Sequence, residues 1–143
     1  VLIDYSHTPD SLENILRAVR GFCTGRIIAV FGCGGDRDPF KRPVMGKIAA
    51  ELSDLAIVTS DNPRTEDPYK ILRQILAGMQ DTETPYEVIE SRVSAIGRAM
   101  ELAQKDDVIV LCGKGHETYQ EIGHEKHHLD EREVVASYLE ANA

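Results

Sequence analysis

The sequence predicts an α/β fold, a Rossmann-like and mostly parallel sheet flanked by helices. Short apolar, β-branched runs alternate along the chain with longer amphipathic segments, which favours parallel strands joined by helical crossovers. Polar loops rich in glycine or proline follow four of the predicted strands. Because parallel strands end at one edge of a sheet, these loops should meet in a single site.

Three strand–helix units are predicted in the first half of the chain. Thr8 should cap the first helix and Pro9 should begin it, because that turn leaves backbone N–H groups unpaired. In the second helix, we expect Val44, Ile48 and Leu52 to face the core. The predicted strands are 1–4, 26–31 and 55–59, and the predicted helices are 9–20, 43–52 and 69–79.

The second half of the chain continues the alternation. Gly123 and His124 are turn residues between two short strand-like segments, which predicts an antiparallel hairpin at the C-terminal edge. The remaining predicted elements are strands 86–90 and 108–112, a helix at 93–103, hairpin strands at 119–122 and around 127–129, and a last helix from about residue 130. The expected buried stripe of that helix is Val134, Val135, Tyr138 and Leu139.

Composition excludes several classes of partner. The net charge of -8 argues against nucleic acid and anionic membranes, which both require clustered Lys and Arg. No segment is long and apolar enough to cross a bilayer. The three cysteines lack the spacing of a disulfide framework or a zinc site, so we expect a cytoplasmic protein in which Cys33 and Cys112 are small buried residues.

The beginning of the chain predicts its domain organisation. It opens on a strand-like run, without an initiating Met and without the basic region of a signal peptide. We therefore expect residues 1–143 to be a single domain of a longer protein.

The loop from Gly32 to Asp38 directly follows a buried strand and is the first candidate site. Its glycines allow close backbone approach to a ligand, and Asp36 and Arg37 bring both signs of charge. The glycine spacing matches neither the dinucleotide fingerprint nor a P-loop. A phosphate cradle and a plain strand-to-helix turn are both compatible with it.

Charged residues in the other loops favour a zwitterionic small molecule. The guanidinium groups of Arg37 and Arg64 suit carboxylates or phosphates, while Asp61 and Glu117 suit an ammonium group. The alternative is a surface network of ion pairs.

Other motifs give weaker signals. Lys114, between two glycines, has the reach to contact a phosphate, but no Ser or Thr follows it as in a P-loop. The cluster His124, His127 and His128 lacks partners at metal-ligand spacing, so no metal site is predicted. No nucleophile–base pair is recognisable, so no catalytic residue is predicted.

Five segments resemble, in order, motifs of the Mur ligases, the ATP-dependent enzymes that extend the peptidoglycan stem peptide. The resemblance covers essentially the whole chain and is closest to the C-terminal domain of the tripeptide synthetases, which add the third amino acid. The segments are Asp4–Asp10, Phe31–Asp38, Lys41–Pro43, Asp61–Arg64 and Gly113–Glu117.

The resemblance implies a reaction. ATP phosphorylates the γ-carboxylate of D-glutamate in UDP-MurNAc-L-Ala-D-Glu, and the incoming amine attacks the acyl phosphate. An N-terminal UDP-sugar domain and a central ATPase domain, which carries the Mg²⁺ ligands, are expected outside this chain. The domain itself is expected to be inactive alone and to close over the centre as a lid, supplying the amino-acid pocket and part of the nucleotide site.

The resemblance also implies which amino acid the ligase adds. A loop with Asp-Asn-Pro-Arg is similar to that of the members that use meso-diaminopimelate, whose distal carboxylate Arg64 would bind bidentately with help from Asn62. The implied diaminopimelate contacts are Arg37, Asp61, Asn62, Arg64, Gly113 and Glu117, and the implied nucleotide contacts are Asp4, His7 and Asp36. The alternative is a stand-alone Rossmann-like module that senses a nucleotide or an amino acid without catalysis.

Overall fold

A computed structural model describes residues 1–142 and confirms the predicted α/β class. The elements in chain order are β1 (Leu2–Asp4), α1 (Pro9–Arg20), β2 (Ile27–Phe31), α2 (Lys41–Leu52), β3 (Leu55–Val58), α3 (Pro68–Ala77), β4 (Tyr86–Val88), α4 (Arg92–Leu102), β5 (Val108–Cys112), β6 (Tyr119–Ile122), β7 (Glu125–His128) and α5 (Glu131–Ala141). Five of the strands form a parallel sheet in the order β1-β5-β2-β3-β4.

Helices cover both faces of this sheet. Along β2, Ile27, Ala29 and Phe31 pack into the core on the side of α1, α2 and α3. Ile28 and Val30 point to the opposite side and pack against α4 and α5. This strict alternation of side chains leaves β2 buried on both faces, which explains why the sequence there is continuously apolar.

The start of α1 follows the sequence prediction. Thr8 is the N-cap, its side chain accepts a hydrogen bond from the backbone N–H of Ser11 at 3.2 Å, and Pro9 is the first helical residue. The Ser11 side chain in turn accepts from the Thr8 N–H at 3.1 Å, so two otherwise unpaired donors are satisfied.

Two predicted helix faces are wrong in part. Val44 is 47% exposed, and α2 instead turns Arg42, Met45 and Ala49 inward. The cause is the close approach of α2 to α3 at Gly46, where an added Cβ would lie 2.2 Å from the carbonyl oxygen of Ile75. This approach fixes the rotation of α2 and leaves Ile48 and Leu52 only partly buried.

The last helix buries a shorter stripe than predicted. Val134 and Val135 pack on the core beside α4, and Tyr138 is half-buried. Leu139 lies beyond this contact and is 59% exposed, contrary to the prediction. In residues 1–142, no helix has both the length and the apolar character needed to cross a membrane.

The predicted hairpin forms a separate antiparallel sheet of β6 and β7. It attaches to the loop after β3 through the backbone of Arg64, whose N–H donates to the carbonyl of Glu121 at 3.0 Å. The Arg64 carbonyl accepts from the N–H of Gly123 at 2.6 Å. The hairpin therefore lies over the edge of the main sheet where the strands end.

Candidate functional site

The loops that follow β1, β2, β3 and β5 meet at the C-terminal edge of the sheet and enclose a cavity of about 150 Å³. This is the convergence that the sequence predicts for a parallel sheet. The lining residues are Tyr5, His7, Cys33, Gly34, Arg37, Asp38, Lys41, Arg42, Met45, Asp61, Asn62, Arg64, Gly113 and Glu117. All six predicted amino-acid contacts and one of the three predicted nucleotide contacts, His7, lie in this set.

Two glycines in the loop after β2 allow it to pack against the loop after β3. The N–H of Gly35 donates to the carbonyl of Asn62 at 2.7 Å, and an added Cβ at Gly35 would lie 1.8 Å from the Pro63 carbonyl oxygen. At Gly32, the corresponding distance to the Thr59 oxygen is 2.1 Å. These two glycines therefore serve loop-to-loop packing, which argues against the phosphate-cradle hypothesis.

Arg64 lines the cavity and is held from two sides. Its Nε donates to Glu121 Oε2 at 3.0 Å, and its Nη1 donates to the Gly35 carbonyl at 3.0 Å. Within residues 1–142, its Nη2 makes no hydrogen bond, and the side chain is 19% exposed. The residue occupies the left-handed region, with φ of 52°. Arg64 is thus oriented in advance for an acceptor in the cavity.

Lys114 is a component of the site that sequence reasoning did not assign. Its side chain is completely buried, because the positive φ angles of Gly113 and Gly115 turn the loop inward. Its Nζ donates to Asn62 Oδ1 at 2.8 Å and lies 3.4 Å from carboxylate oxygens of both Asp61 and Glu117. The ammonium group is therefore directed at protein acceptors and not at an external phosphate.

The cavity brings both signs of charge together at its rim. Arg37 is exposed there and donates through Nη1 to the backbone carbonyl of Asp36 at 3.0 Å. Opposite charge comes from Asp61 and Glu117. The negative charge of Glu117 raises the pKa of Tyr5, with burial as a further cause, so the phenol stays protonated and can donate a hydrogen bond.

The other two predicted nucleotide contacts, Asp4 and Asp36, do not line this cavity. Asp4 ends β1, where its backbone is paired with Cys112. The Asp36 carboxylate accepts a hydrogen bond from the Thr65 hydroxyl at 2.7 Å, and this bond lowers its pKa. His7 does line the cavity, with its ring 4.7 Å from that of Tyr5. The nucleotide roles of the three residues stay predictions.

Two buried arginines near the site have carboxylate partners that no sequence pattern predicts. Arg42 donates to Glu66 at 2.8 and 3.0 Å and to the Gly34 carbonyl at 2.9 Å, so it ties the glycine loop to the loop after β3. Hydrogen bonds from Arg42 lower the pKa of Glu66 to about 2. The second arginine, Arg92, pairs with Glu131 at 2.9 Å, and both side chains are fully buried. Partners so distant in sequence give no periodic pattern.

Cys33 and Cys112 are buried, as predicted. Burial raises the pKa of both thiols to about 12, which keeps them protonated and unreactive at neutral pH. In the part of the chain that the structure describes, no group of three or more His, Cys, Asp or Glu side chains is arranged to hold a metal ion.

Comparison with known proteins gives the family. Residues 1–115 match the family described as "Mur ligase, glutamate ligase domain". The chain belongs to this family. The resemblance seen in the five ordered motifs is thereby confirmed.

Nearly the whole chain aligns with part of individual Mur ligases. It is 65% identical over 139 residues to the UDP-N-acetylmuramoyl-L-alanyl-D-glutamate--2,6-diaminopimelate ligase of Trichormus variabilis, and 55% identical to the ligase of the same name from Clostridioides difficile. Each alignment covers 97% of this chain, but only 28% and 29% of the respective relatives.

A solved structure of a ligase with that name superimposes on the fold with a TM-score of 0.94 at 42% identity, covering 98% of this chain and 29% of that one. The chain therefore spans less than a third of the length of these Mur ligases.

Proposed function

We propose that this Mur ligase domain binds meso-diaminopimelate within an ATP-dependent carboxylate–amine ligase of cytoplasmic peptidoglycan synthesis. The ligase would join that amino acid to UDP-MurNAc-L-Ala-D-Glu through an acyl phosphate. The observation that carries the proposal is the cavity, in which the donors of Arg64 and Asn62 lie beside the carboxylates of Asp61 and Glu117. Its support is the similarity to relatives named as 2,6-diaminopimelate ligases.

The charges of the cavity match a molecule with two amino-acid ends. Arg64 Nη2 and the amide of Asn62 offer donors for the distal carboxylate, and Arg37 offers a guanidinium for the other. Asp61 and Glu117 suit the ammonium groups. L-Lysine lacks the distal carboxylate and would place an ammonium group against the Arg64 guanidinium, at the cost of unpaired buried polar groups.

The role of this chain is to bind and orient the substrate. In the proposed reaction, ATP activates the D-glutamate carboxylate, and the amine of the bound amino acid displaces phosphate to form the amide. Asp4, His7 and Asp36 are the proposed contacts to the nucleotide. We assign no catalytic residue to this chain, and we place the Mg²⁺ ligands in the central ATPase domain.

The proposed partners are small molecules and other domains of a longer chain. A UDP-sugar domain and a central ATPase domain would bind the second substrate and most of the ATP. This domain would close over them as a lid and would be inactive alone. Neither nucleic acid nor a membrane surface is a proposed partner.

The test is substrate choice in the full-length ligase that carries this domain, measured as phosphate release. We expect kcat/KM for meso-diaminopimelate to exceed that for L-lysine by about 1000-fold, because the donors of the site stay unpaired with lysine. Equal use of the two amino acids would overturn the proposed specificity. If the full-length protein binds diaminopimelate but releases no phosphate with any acceptor, the sensing-module alternative is correct instead.

A further inference from the structure

We infer that Lys114 is a specificity-determining positioning residue, because it fixes the Asn62 amide so that only its NH₂ group faces the cavity. The inference rests on the proposed function and names what makes one corner of the cavity selective for a carboxylate. This donor corner consists of the Asn62 amide and the Arg64 guanidinium, which both line the cavity.

The side-chain oxygen of Asn62, Oδ1, accepts two hydrogen bonds from the protein. It accepts from Lys114 Nζ at 2.8 Å and from the backbone N–H of Glu121 at 2.9 Å. A carbonyl oxygen has two lone pairs, so both are used. Rotating the amide by half a turn would direct its NH₂ group at an ammonium and an N–H, which are donors only. Asn62 is therefore locked in one orientation.

The lock depends on the burial of Lys114. Its Nζ has three hydrogens, and three acceptors surround it: Asn62 Oδ1 at 2.8 Å and carboxylate oxygens of Asp61 and Glu117 at 3.4 Å each. The side chain is completely buried. All three hydrogens of the ammonium therefore have an acceptor inside the protein, and two of those acceptors are carboxylates.

The consequence is a corner of the cavity that offers only hydrogen-bond donors. Asn62 is 5% exposed and lines the cavity, and its Nδ2 donates to no residue among 1–142. Arg64 lines the same cavity and cannot accept a hydrogen bond. A carboxylate satisfies such a corner, whereas an ammonium group does not. Asn62 is by chemistry able to accept or donate, and Lys114 together with the Glu121 N–H removes the first option.

The test measures the ratio of kcat/KM for meso-diaminopimelate to that for L-lysine in the full-length ligase. In Lys114→Met, Asn62 Oδ1 keeps only the Glu121 N–H, so the amide is held by one donor instead of two, and we expect the ratio to fall by about 10- to 100-fold, the value of one hydrogen bond to a charged group. Most of the change should be in KM for diaminopimelate. Lys114→Arg keeps the charge and the donors and should restore most of the ratio. Lys47→Met, at an exposed lysine of α2, is the matched control.

A second variant keeps the inference testable if Lys114→Met does not fold. Asn62→Asp removes the NH₂ group, leaves Lys114 a partner and should lower the ratio at least as far. A folded Lys114→Met or Asn62→Asp with an unchanged ratio would overturn the inference. If the unmodified ligase does not prefer diaminopimelate at all, it is the proposed function that fails.

Discussion

Arg92 and Arg64 lie at the same edge of the sheet, and each is held by a carboxylate and by backbone carbonyl groups. Only Arg92 has a protein acceptor for every nitrogen of its guanidinium group. All three guanidinium nitrogens of Arg92 are bonded: Nε to Glu131 at 2.9 Å, and Nη1 and Nη2 to the carbonyls of Ser60 and Cys112. Arg64 uses two nitrogens on protein acceptors and lines the cavity, and within residues 1–142 its third nitrogen makes no hydrogen bond.

The number of protein acceptors distinguishes an arginine that stabilises the fold from one that has a donor left for a ligand. Arg92 joins the ends of β3 and β5 just before Asp61 and Gly113, so it supports the two loops that carry the site. Burial alone would lower the pKa of Arg92, but the nearby carboxylate of Glu131 raises it overall. Arg64 is 19% exposed and has an incomplete set of partners, which leaves a donor for a ligand carboxylate.

Removing Arg92 should have the largest effect on stability. In Arg92→Met, Glu131 is left buried without its partner, and we expect the free energy of unfolding to fall by about 3 to 5 kcal/mol. Urea denaturation of this chain measures the change. The double variant Arg92→Met, Glu131→Leu removes both charges and should recover most of the loss. If Arg92→Met lowers the free energy of unfolding by less than about 1 kcal/mol, Arg92 does not have this structural role.

Removing Arg64 should act on substrate binding and much less on folding. In the full-length ligase, we expect Arg64→Ala to raise KM for meso-diaminopimelate by about 100-fold, the value of a charge-assisted hydrogen bond in a partly buried site. KM for ATP should stay within about threefold. Arg98→Ala is the matched control, since that arginine pairs with Glu87 at 2.9 Å outside the cavity. Equal rises in KM for ATP and for the amino acid would contradict the assignment.

The third arginine, Arg42, pairs with Glu66 and with the glycine loop, and the pH dependence of stability tests how much this pairing contributes. Hydrogen bonds from Arg42 lower the pKa of Glu66 to about 2, from 4.5. Because the folded-state pKa is depressed, this stabilisation is complete above pH 4.5 and is lost as the pH falls towards 2. We expect about 1 to 2 kcal/mol of the unfolding free energy to disappear over that range after solvent screening.

Urea denaturation at several pH values measures the contribution of Glu66. Glu66→Gln should flatten the dependence, while Glu51→Gln, at an exposed glutamate of α2, should leave it unchanged. A slope that is the same in all three proteins would mean that Arg42 is held mainly by the Gly34 carbonyl and the Gln74 side chain.

The sequence predicts well those features that depend on local pattern. The strand 108–112 is confirmed to the residue, and the strands predicted at 26–31 and 55–59 each differ at one end only. A strand buried on both faces is a continuous apolar run, which leaves little freedom in its bounds. The meeting of the loops follows from the parallel sheet itself.

What the sequence did not predict depends on contacts between distant elements. The rotation of α2, which exposes Val44, is set by the backbone of α3. The pairing of Arg92 with Glu131 joins residues 39 positions apart, and the burial of Lys114 depends on the positive φ angles of two glycines. Charged residues on amphipathic helices are usually solvated, so only packing shows which of them are enclosed.

The attachment of the hairpin to Arg64 limits how this site can be transplanted. The loop after β3 and the β6–β7 hairpin share two backbone hydrogen bonds at Arg64, and Glu121 of the hairpin also holds its guanidinium. Neither segment keeps the arginine in place without the other. Because the Gly35 carbonyl also holds the Arg64 guanidinium, the smallest unit that an engineer could graft onto another parallel-sheet scaffold, to give it a carboxylate site, is the two loops after β2 and β3 together with the hairpin.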